Sequence, residues 1–170
     1  GRVVSFTNGE SQNASISNFT LRNGLGGIVI SNSSPQLKDL IISNNVASDH
    51  GGGLNIFNSN PTVTNVVVSK NSGCCGGGLN IDQSNVVLTN CNIINNQAGS
   101  GILVNGGSNV QITNSIIRNN IGDAEIYVNE GSESNVLTIS YSNILGGQEN
   151  IFTNSNANIS WGDGNIDSNP

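Results

Sequence analysis

The chain has few of the residues on which several broad function classes depend. Its 170 residues include only five Lys or Arg against eleven Asp or Glu, and a net charge of −6 argues against nucleic acid as a partner because phosphate contacts need clustered cations. It has no apolar run of about 18 residues, so no membrane span is expected. Three cysteines, an odd number, provide no disulfide framework. Methionine is absent, which indicates a processed chain or a fragment of a longer protein.

Charged residues make up only 9% of the chain and Asn, Gly and Ser dominate, a composition that would indicate disorder in a non-repetitive sequence. This sequence, however, repeats itself. The string GGGLNI occurs at residues 51–56 and again at residues 76–81, an offset of 25 residues. A period of roughly 20 to 50 residues is typical of a solenoid, in which each unit buries its apolar face against its neighbours.

Two sets of apolar residues follow this period. A six-residue pattern (apolar, polar, Asn, two variable positions, apolar) recurs at intervals of 21 to 27 residues, with copies beginning at Ile16, Leu37, Val63, Leu88, Ile112 and Ile139. Apolar pairs two residues apart keep step with it: Ile28/Ile30, Leu54/Ile56, Leu79/Ile81, Ile102/Val104 and Ile126/Val128. Residues two apart face the same side of a strand, so each pair predicts a strand with one buried face.

The six-residue pattern predicts a bend. Its first and last apolar positions are five residues apart, so one straight strand would point them to opposite faces. The third position, where the bend is expected, is occupied by Asn18, Asp39, Asn65, Asn90 and Asn114. Asn and Asp tolerate the left-handed backbone conformation better than other non-glycine residues, and stacked amides can form a hydrogen-bonded ladder. A second column of this kind is expected through Asn45, Asn71, Asn96 and Asn120.

Together these patterns predict three strands per coil, and they resemble the right-handed parallel β-helix of the pectin-lyase-like superfamily over about residues 5–144. The Asn corners and GGGL turns are most similar to the repetitive regions of bacterial secreted and surface proteins, and residues 141–144 and 162–167 to the ends of such regions. The fold predicted is all-β: a right-handed, three-sided parallel β-helix of about six coils with Asn ladders. The single domain would have its coils at about residues 5–147 and a C-terminal tail or cap at residues 148–170.

The resemblance leaves the activity open, because this scaffold serves lyases, hydrolases, esterases, adhesins and phage fibres. Lyases need a cationic base and often Ca²⁺-binding acids, and hydrolases need paired carboxylates. Here the five cations fall on different coils, and no carboxylate pair spanning neighbouring coils is evident. Two local acid groups, Asp123 with Glu125 and Glu130 with Glu133, are interpreted as solvated loop residues, with a cation held by the first pair as the alternative.

We therefore expect a non-enzymatic structural or adhesive module, secreted or at the cell surface of a bacterium, that needs no cofactor. Its expected partners are neighbouring coils, copies of itself stacked end to end into a filament, or extracellular carbohydrate. The alternative is a polysaccharide-active lyase or hydrolase, or a carbohydrate-binding β-helix. Aromatic platforms for sugar are scarce, since Phe57, Tyr127, Tyr141 and Trp161 form no visible column.

One turn carries unusual chemistry. Counting back from Leu54 and Leu79 aligns Asp49 with Cys74 and His50 with Cys75, so these four residues are expected on adjacent coils. They are candidates for a Zn²⁺ site or for a thiolate activated by histidine, against the blander alternatives of a vicinal disulfide between the two cysteines or two unpaired thiols.

The remaining cysteine differs from these two. Cys91 replaces the valine of the preceding copy of the six-residue pattern, Val66, and is expected to point inward as a buried, inert thiol.

Overall fold

Short strands follow one another along the whole chain in the computed structural model, which describes residues 1–129, 133–153 and 157–168. In chain order they are β1 (Val4–Phe6), β2 (Ser15–Ser17), β3 (Thr20–Arg22), β4 (Ile28–Ser31), β5 (Gln36–Ser43), β6 (Leu54–Phe57), β7 (Thr62–Ser69), β8 (Leu79–Asp82), β9 (Asn85–Thr89), β10 (Asn92–Ile94), β11 (Ile102–Asn105), β12 (Asn109–Thr113), β13 (Ile116–Arg118), β14 (Ile126–Val128), β15 (Val136–Ser140), β16 (Asn143–Ile144), β17 (Ile151–Thr153) and β18 (Asn158–Trp161). A 3₁₀ turn at Gly147–Asn150 precedes β17. Within the described residues, no helix has the length and apolar character needed to cross a membrane.

These strands form two parallel sheets. Sheet A contains seven strands in the order β1-β4-β6-β8-β11-β14-β17, and sheet B contains the other eleven. Each strand pairs with its counterpart one coil away, as in the register of Leu54 with Leu79 and of Ile56 with Ile81. Strands β5 and β7 run through the predicted corner, so sheet B covers two of the three sides. The predicted all-β, three-sided parallel solenoid of about six coils is confirmed.

Parallel pairing continues beyond the sixth coil. Strand β17 pairs with β14 in sheet A and β18 pairs with β15 in sheet B, so these residues of the predicted tail add a rung to both sheets. Trp161, at the end of β18, packs partly buried against the apolar core.

The predicted corner column adopts the expected conformation. All five residues have positive φ angles, from 52° to 62°, and Tyr141 takes the sixth corner at 50°. The amide ladder along this column is short: Asn65 donates to Asp39 at 3.0 Å and Asn90 donates to Asn65 at 3.1 Å. The Asn18 amide donates instead to the adjacent Ser17 hydroxyl. This column is mainly a series of backbone corners.

The second predicted column forms the stronger ladder. Each Nδ2 donates to the Oδ1 of the next residue: Asn45 to Asn71 at 3.0 Å, Asn71 to Asn96 at 3.1 Å and Asn96 to Asn120 at 2.9 Å. The Nδ2 atoms of all four residues also donate to backbone carbonyls of the preceding coil. The first three side chains are 0–1% exposed, so these bonds are made away from water, where an unpaired amide would be costly.

The apolar columns form the core of the coil. Every residue of the five predicted apolar pairs is at most 1% exposed. Cys91 is also 1% exposed and belongs to the core, as predicted, and burial raises the pKa of its thiol to about 11. An inert, protonated thiol therefore stands where the two preceding coils place Val66 and Leu40.

The GGGLNI glycines make the turn that leads into sheet A. Gly51 and Gly76 have φ angles of 61° and 66°, and a Cβ on Gly76 would lie 2.1 Å from the carbonyl oxygen of Leu79. A Cβ on Gly52 would meet the carbonyl oxygen of Gly77, one coil away, at 2.5 Å. Glycine is therefore required both for the turn conformation and for close stacking of turns in adjacent coils.

Candidate functional site

The turns that precede β6 and β8 bring the predicted chemical residues together. His50 and Cys75 form an isolated parallel bridge, and the Cys74 amide donates to the Asp49 carbonyl at 3.0 Å. The Gly51 amide donates to the Cys75 carbonyl at 3.1 Å. The predicted alignment of the two turns is therefore present in the structure, with the backbone of each held by the other.

Three of the four candidate side chains converge. The metal-binding atoms of His50, Cys74 and Cys75 all lie within 4.8 Å of one another, and the two Sγ atoms are 3.0 Å apart in free thiols. We call these three residues the thiol cluster. Asp49 is engaged elsewhere, because its Oδ1 accepts a hydrogen bond from the Arg2 guanidinium at 2.7 Å.

The pKa of the Cys75 thiol determines whether the predicted histidine-activated thiolate can form at neutral pH. The hydrogen bond with Cys74 raises the pKa of the Cys75 thiol to about 11, and burial and the negative charges of Cys74 and Asp123 act in the same direction. A nucleophilic cysteine needs a lowered pKa, so the environment of Cys75 opposes that chemistry at neutral pH.

A hollow of about 210 Å³ adjoins the thiol cluster on the side of the next coil. Its lining includes both cysteines, Ser100, Asp123 and Tyr127. The Ser100 Oγ is buried and, among the described residues, has no hydrogen-bond partner. The hollow therefore offers a polar wall beside the two sulfurs.

An aromatic pair extends this surface along sheet A. Tyr127 and Phe152 occupy matching positions on β14 and β17, and their rings meet edge to face with centroids 5.0 Å apart. With Asp123 they line a second hollow of about 370 Å³. This pair joins Tyr127 to Phe152, a residue outside the set of Phe57, Tyr127, Tyr141 and Trp161 that was expected to form no column. Phe152 lies in the predicted tail, residues 148–170, where Ile-Phe-Thr at 151–153 nevertheless repeats the alternation of Ile-Tyr-Val at 126–128.

Asp123 and Glu125, the first of the two local acid groups, lie in different environments. Asp123 is exposed, whereas Glu125 is only 3% exposed and accepts hydrogen bonds from Asn120, from Nδ2 at 2.6 Å and from the backbone amide at 3.3 Å. Glu125 therefore ends the buried ladder where the next Asn would stand. Burial raises the pKa of its carboxyl group, although the hydrogen bonds from Asn120 oppose that change. Glu130 lies outside the described residues, so its grouping with Glu133 stays a prediction.

Replacing Glu125 should make the protein more stable at neutral pH. Because the folded-state pKa of this carboxyl group is raised, its contribution to stability is present below the unfolded-state pKa and is lost as pH rises through the folded-state value. Glu125→Gln keeps an acceptor for Asn120 without the buried charge. We expect a higher Tm than wild type at pH 7 and a difference that vanishes below about pH 4.

Thermal melts recorded across this pH range test the expectation, with the exposed Glu149→Gln as the matched control. A Glu125→Gln protein that melts below wild type at pH 7 would mean that the ionised carboxylate stabilises the ladder more than its burial costs.

Comparison with known proteins agrees with this architecture. The family model described as "Right handed beta helix region" matches residues 4–169, nearly the whole chain. No curated protein and no solved structure matches the chain. With its parallel coils and a match of this length, the chain belongs to the right-handed β-helix family.

Proposed function

We propose that this chain is a non-enzymatic β-helix module with a structural or adhesive role in a bacterial secreted or cell-surface protein. The observation that carries the proposal is the continuous buried Asn ladder, which ties the coils together from Asn45 to Asn120. A solenoid reinforced in this way is a stiff spacer with long, regular outer faces.

The positions of the acidic side chains support a structural role. Several carboxylates in the described residues are engaged with neighbours rather than aimed at a shared point on the outer surface. The pairs are Glu10 with Ser33, Asp39 with Asn65, Asp49 with Arg2, Glu125 with Asn120, and Asp167 with Arg118. Groups that already serve as hydrogen-bond acceptors within the coil are poorly placed to divide acid and base roles over a sugar.

End-to-end stacking into a filament is part of this proposal. Strand β1 pairs with β4 and strand β17 pairs with β14, so within the described residues each end of sheet A has one strand edge without a partner. Such edges accept further strands readily. Light scattering over a range of protein concentrations measures this: growth in mass with concentration supports stacking, and a constant monomer mass contradicts it.

A second candidate function, carbohydrate binding, is favoured by the aromatic pair. Tyr127 and Phe152 give sheet A an apolar platform, and Asp123 supplies an acceptor for sugar hydroxyls beside it. Aromatic side chains contribute binding energy through their large contact area, and a neighbouring polar group fixes orientation. The adhesive form of the proposed function would use this platform.

One panel of polysaccharides, including uronates, tests both the non-enzymatic proposal and carbohydrate binding at the aromatic pair. We expect no unsaturated or newly reducing products, since turnover would contradict the non-enzymatic proposal. If the platform binds sugar, Tyr127→Ala and Phe152→Ala should weaken retention on the bound polysaccharide about tenfold, a loss of about 1.4 kcal/mol. Phe57→Ala, which removes an exposed ring elsewhere on sheet A, should retain wild-type binding. Equal effects of all three changes would contradict a site at the aromatic pair.

A further inference from the structure

We propose that the thiol cluster, His50, Cys74 and Cys75, is a binding site for a thiophilic divalent cation, Zn²⁺, that joins two successive coils. The three side chains come from two turns, one before β6 and one before β8, and their metal-binding atoms lie within 4.8 Å of one another. Neither the family match nor the proposed structural role assigns such a site.

The ligand types select the metal. Two thiolates and one imidazole are the set that Zn²⁺ prefers, whereas Mg²⁺ and Ca²⁺ prefer oxygen ligands. With Zn–S bonds of about 2.3 Å, two sulfurs of a tetrahedral site stand about 3.8 Å apart. The two Sγ atoms are now 3.0 Å apart, so they must separate slightly while the imidazole turns toward them. His50 and Cys74 are exposed and Cys75 is half-buried, so side-chain rotations can supply these movements.

The backbone beneath the cluster is already fixed. Arg2 donates to the Asp49 carboxylate and, also at 2.7 Å, to the His50 carbonyl, while the Asp49 and Cys75 carbonyls accept amide hydrogen bonds from the opposite turn. The turns are therefore held in register before a metal arrives, which lowers the entropy cost of binding. Arg2 also keeps Asp49 out of the ligand set, so water would take the fourth position.

The surroundings of the two sulfurs suit a cation. The Sγ atoms of Cys74 and Cys75 are 3.0 Å apart, and the acidic Asp123 lines the hollow beside both cysteines. Zn²⁺ binding would release the two thiol protons to solvent as two Zn–S bonds form. Ser100 and Asp123, which line the adjoining hollow, lie on the side from which water can reach the metal.

Cobalt and zinc titrations of the fully reduced protein, kept in a phosphine reductant, test the proposal. We expect one Co²⁺ per chain, with a thiolate-to-cobalt charge-transfer band that Zn²⁺ abolishes. Cys74→Ser, Cys75→Ser and His50→Ala should each weaken binding by more than about tenfold, because each removes one ligand. Ser48→Ala, a change at an exposed position of the same turn, should bind as wild type.

Alkylation gives a second measurement. Zn²⁺ should protect Cys74 and Cys75 of the wild-type protein from iodoacetamide, while buried Cys91 stays unmodified with or without metal. A protein that shows no charge-transfer band, or whose cysteines are alkylated equally fast with and without Zn²⁺, would overturn the proposal. A band that survives His50→Ala and Cys75→Ser unchanged would overturn it as well.

Discussion

Ile81→Asn is expected to lower the free energy of unfolding by about 3–5 kcal/mol. Ile81 is 0% exposed in β8 and stands between Ile56 and Val104 of the adjacent coils. Asn at this position loses apolar contacts on both sides and buries an amide without a hydrogen-bond partner. The cost therefore combines a packing loss with a desolvation penalty.

Urea unfolding measures the change, and two controls separate its causes. Ile81→Val keeps the site apolar and should cost about 1 kcal/mol. Val87→Asn introduces the same amide on β9 at a side chain that is 40% exposed, and it should change stability by about 0.5 kcal/mol or less. If Ile81→Asn unfolded at the same urea concentration as wild type, the inward assignment of this column would be wrong.

Much of the fold could be predicted because a solenoid repeats its physical constraints. The two-residue spacing of Leu79 and Ile81 fixes which face of the strand is buried. The same spacing recurs in the corresponding strand of the neighbouring coils. The odd spacing in the six-residue pattern requires a bend, and only Asn, Asp or Gly adopts its conformation at low cost. The corner residues could therefore be located without knowing the length of any loop.

Other features depend on loop geometry and could not be predicted. Glu125 occupies the place of a ladder Asn only because the turn after Asn120 is short enough to return its carboxylate to that residue. Arg2 holds Asp49 across two coils, and no column relates these two residues. The alignment of His50 with Cys75 followed from counting, whereas the direction of each side chain did not. For this reason the sequence could place four residues at one turn but could not show that three of them converge.

Asn71→Ala is expected to destabilise the protein by about 3–5 kcal/mol, several times more than removal of an amide from the corner column. The Asn71 side chain is 0% exposed, and its Oδ1 accepts hydrogen bonds from both the backbone amide and the side-chain amide of Asn45. Its Nδ2 donates to the Ile42 carbonyl and to Asn96. Alanine would remove the acceptor of the Asn45 backbone amide and a donor to the Ile42 carbonyl, at about 1–3 kcal/mol for each buried group left unsatisfied. The Asn45 and Asn96 side chains would each lose one of their hydrogen bonds.

The matched control is Asn65→Gly in the corner column. Asn65 is exposed, its amide bonds run along the surface, and glycine accepts its φ of 55° without strain. We expect this change to cost about 1 kcal/mol or less. Urea unfolding compares the two variants, and amide hydrogen exchange should show lost protection at Asn45 in Asn71→Ala alone. Equal destabilisation by both changes would mean that the two columns contribute equally to stability. That result would contradict the expectation that the buried column contributes more than the exposed one.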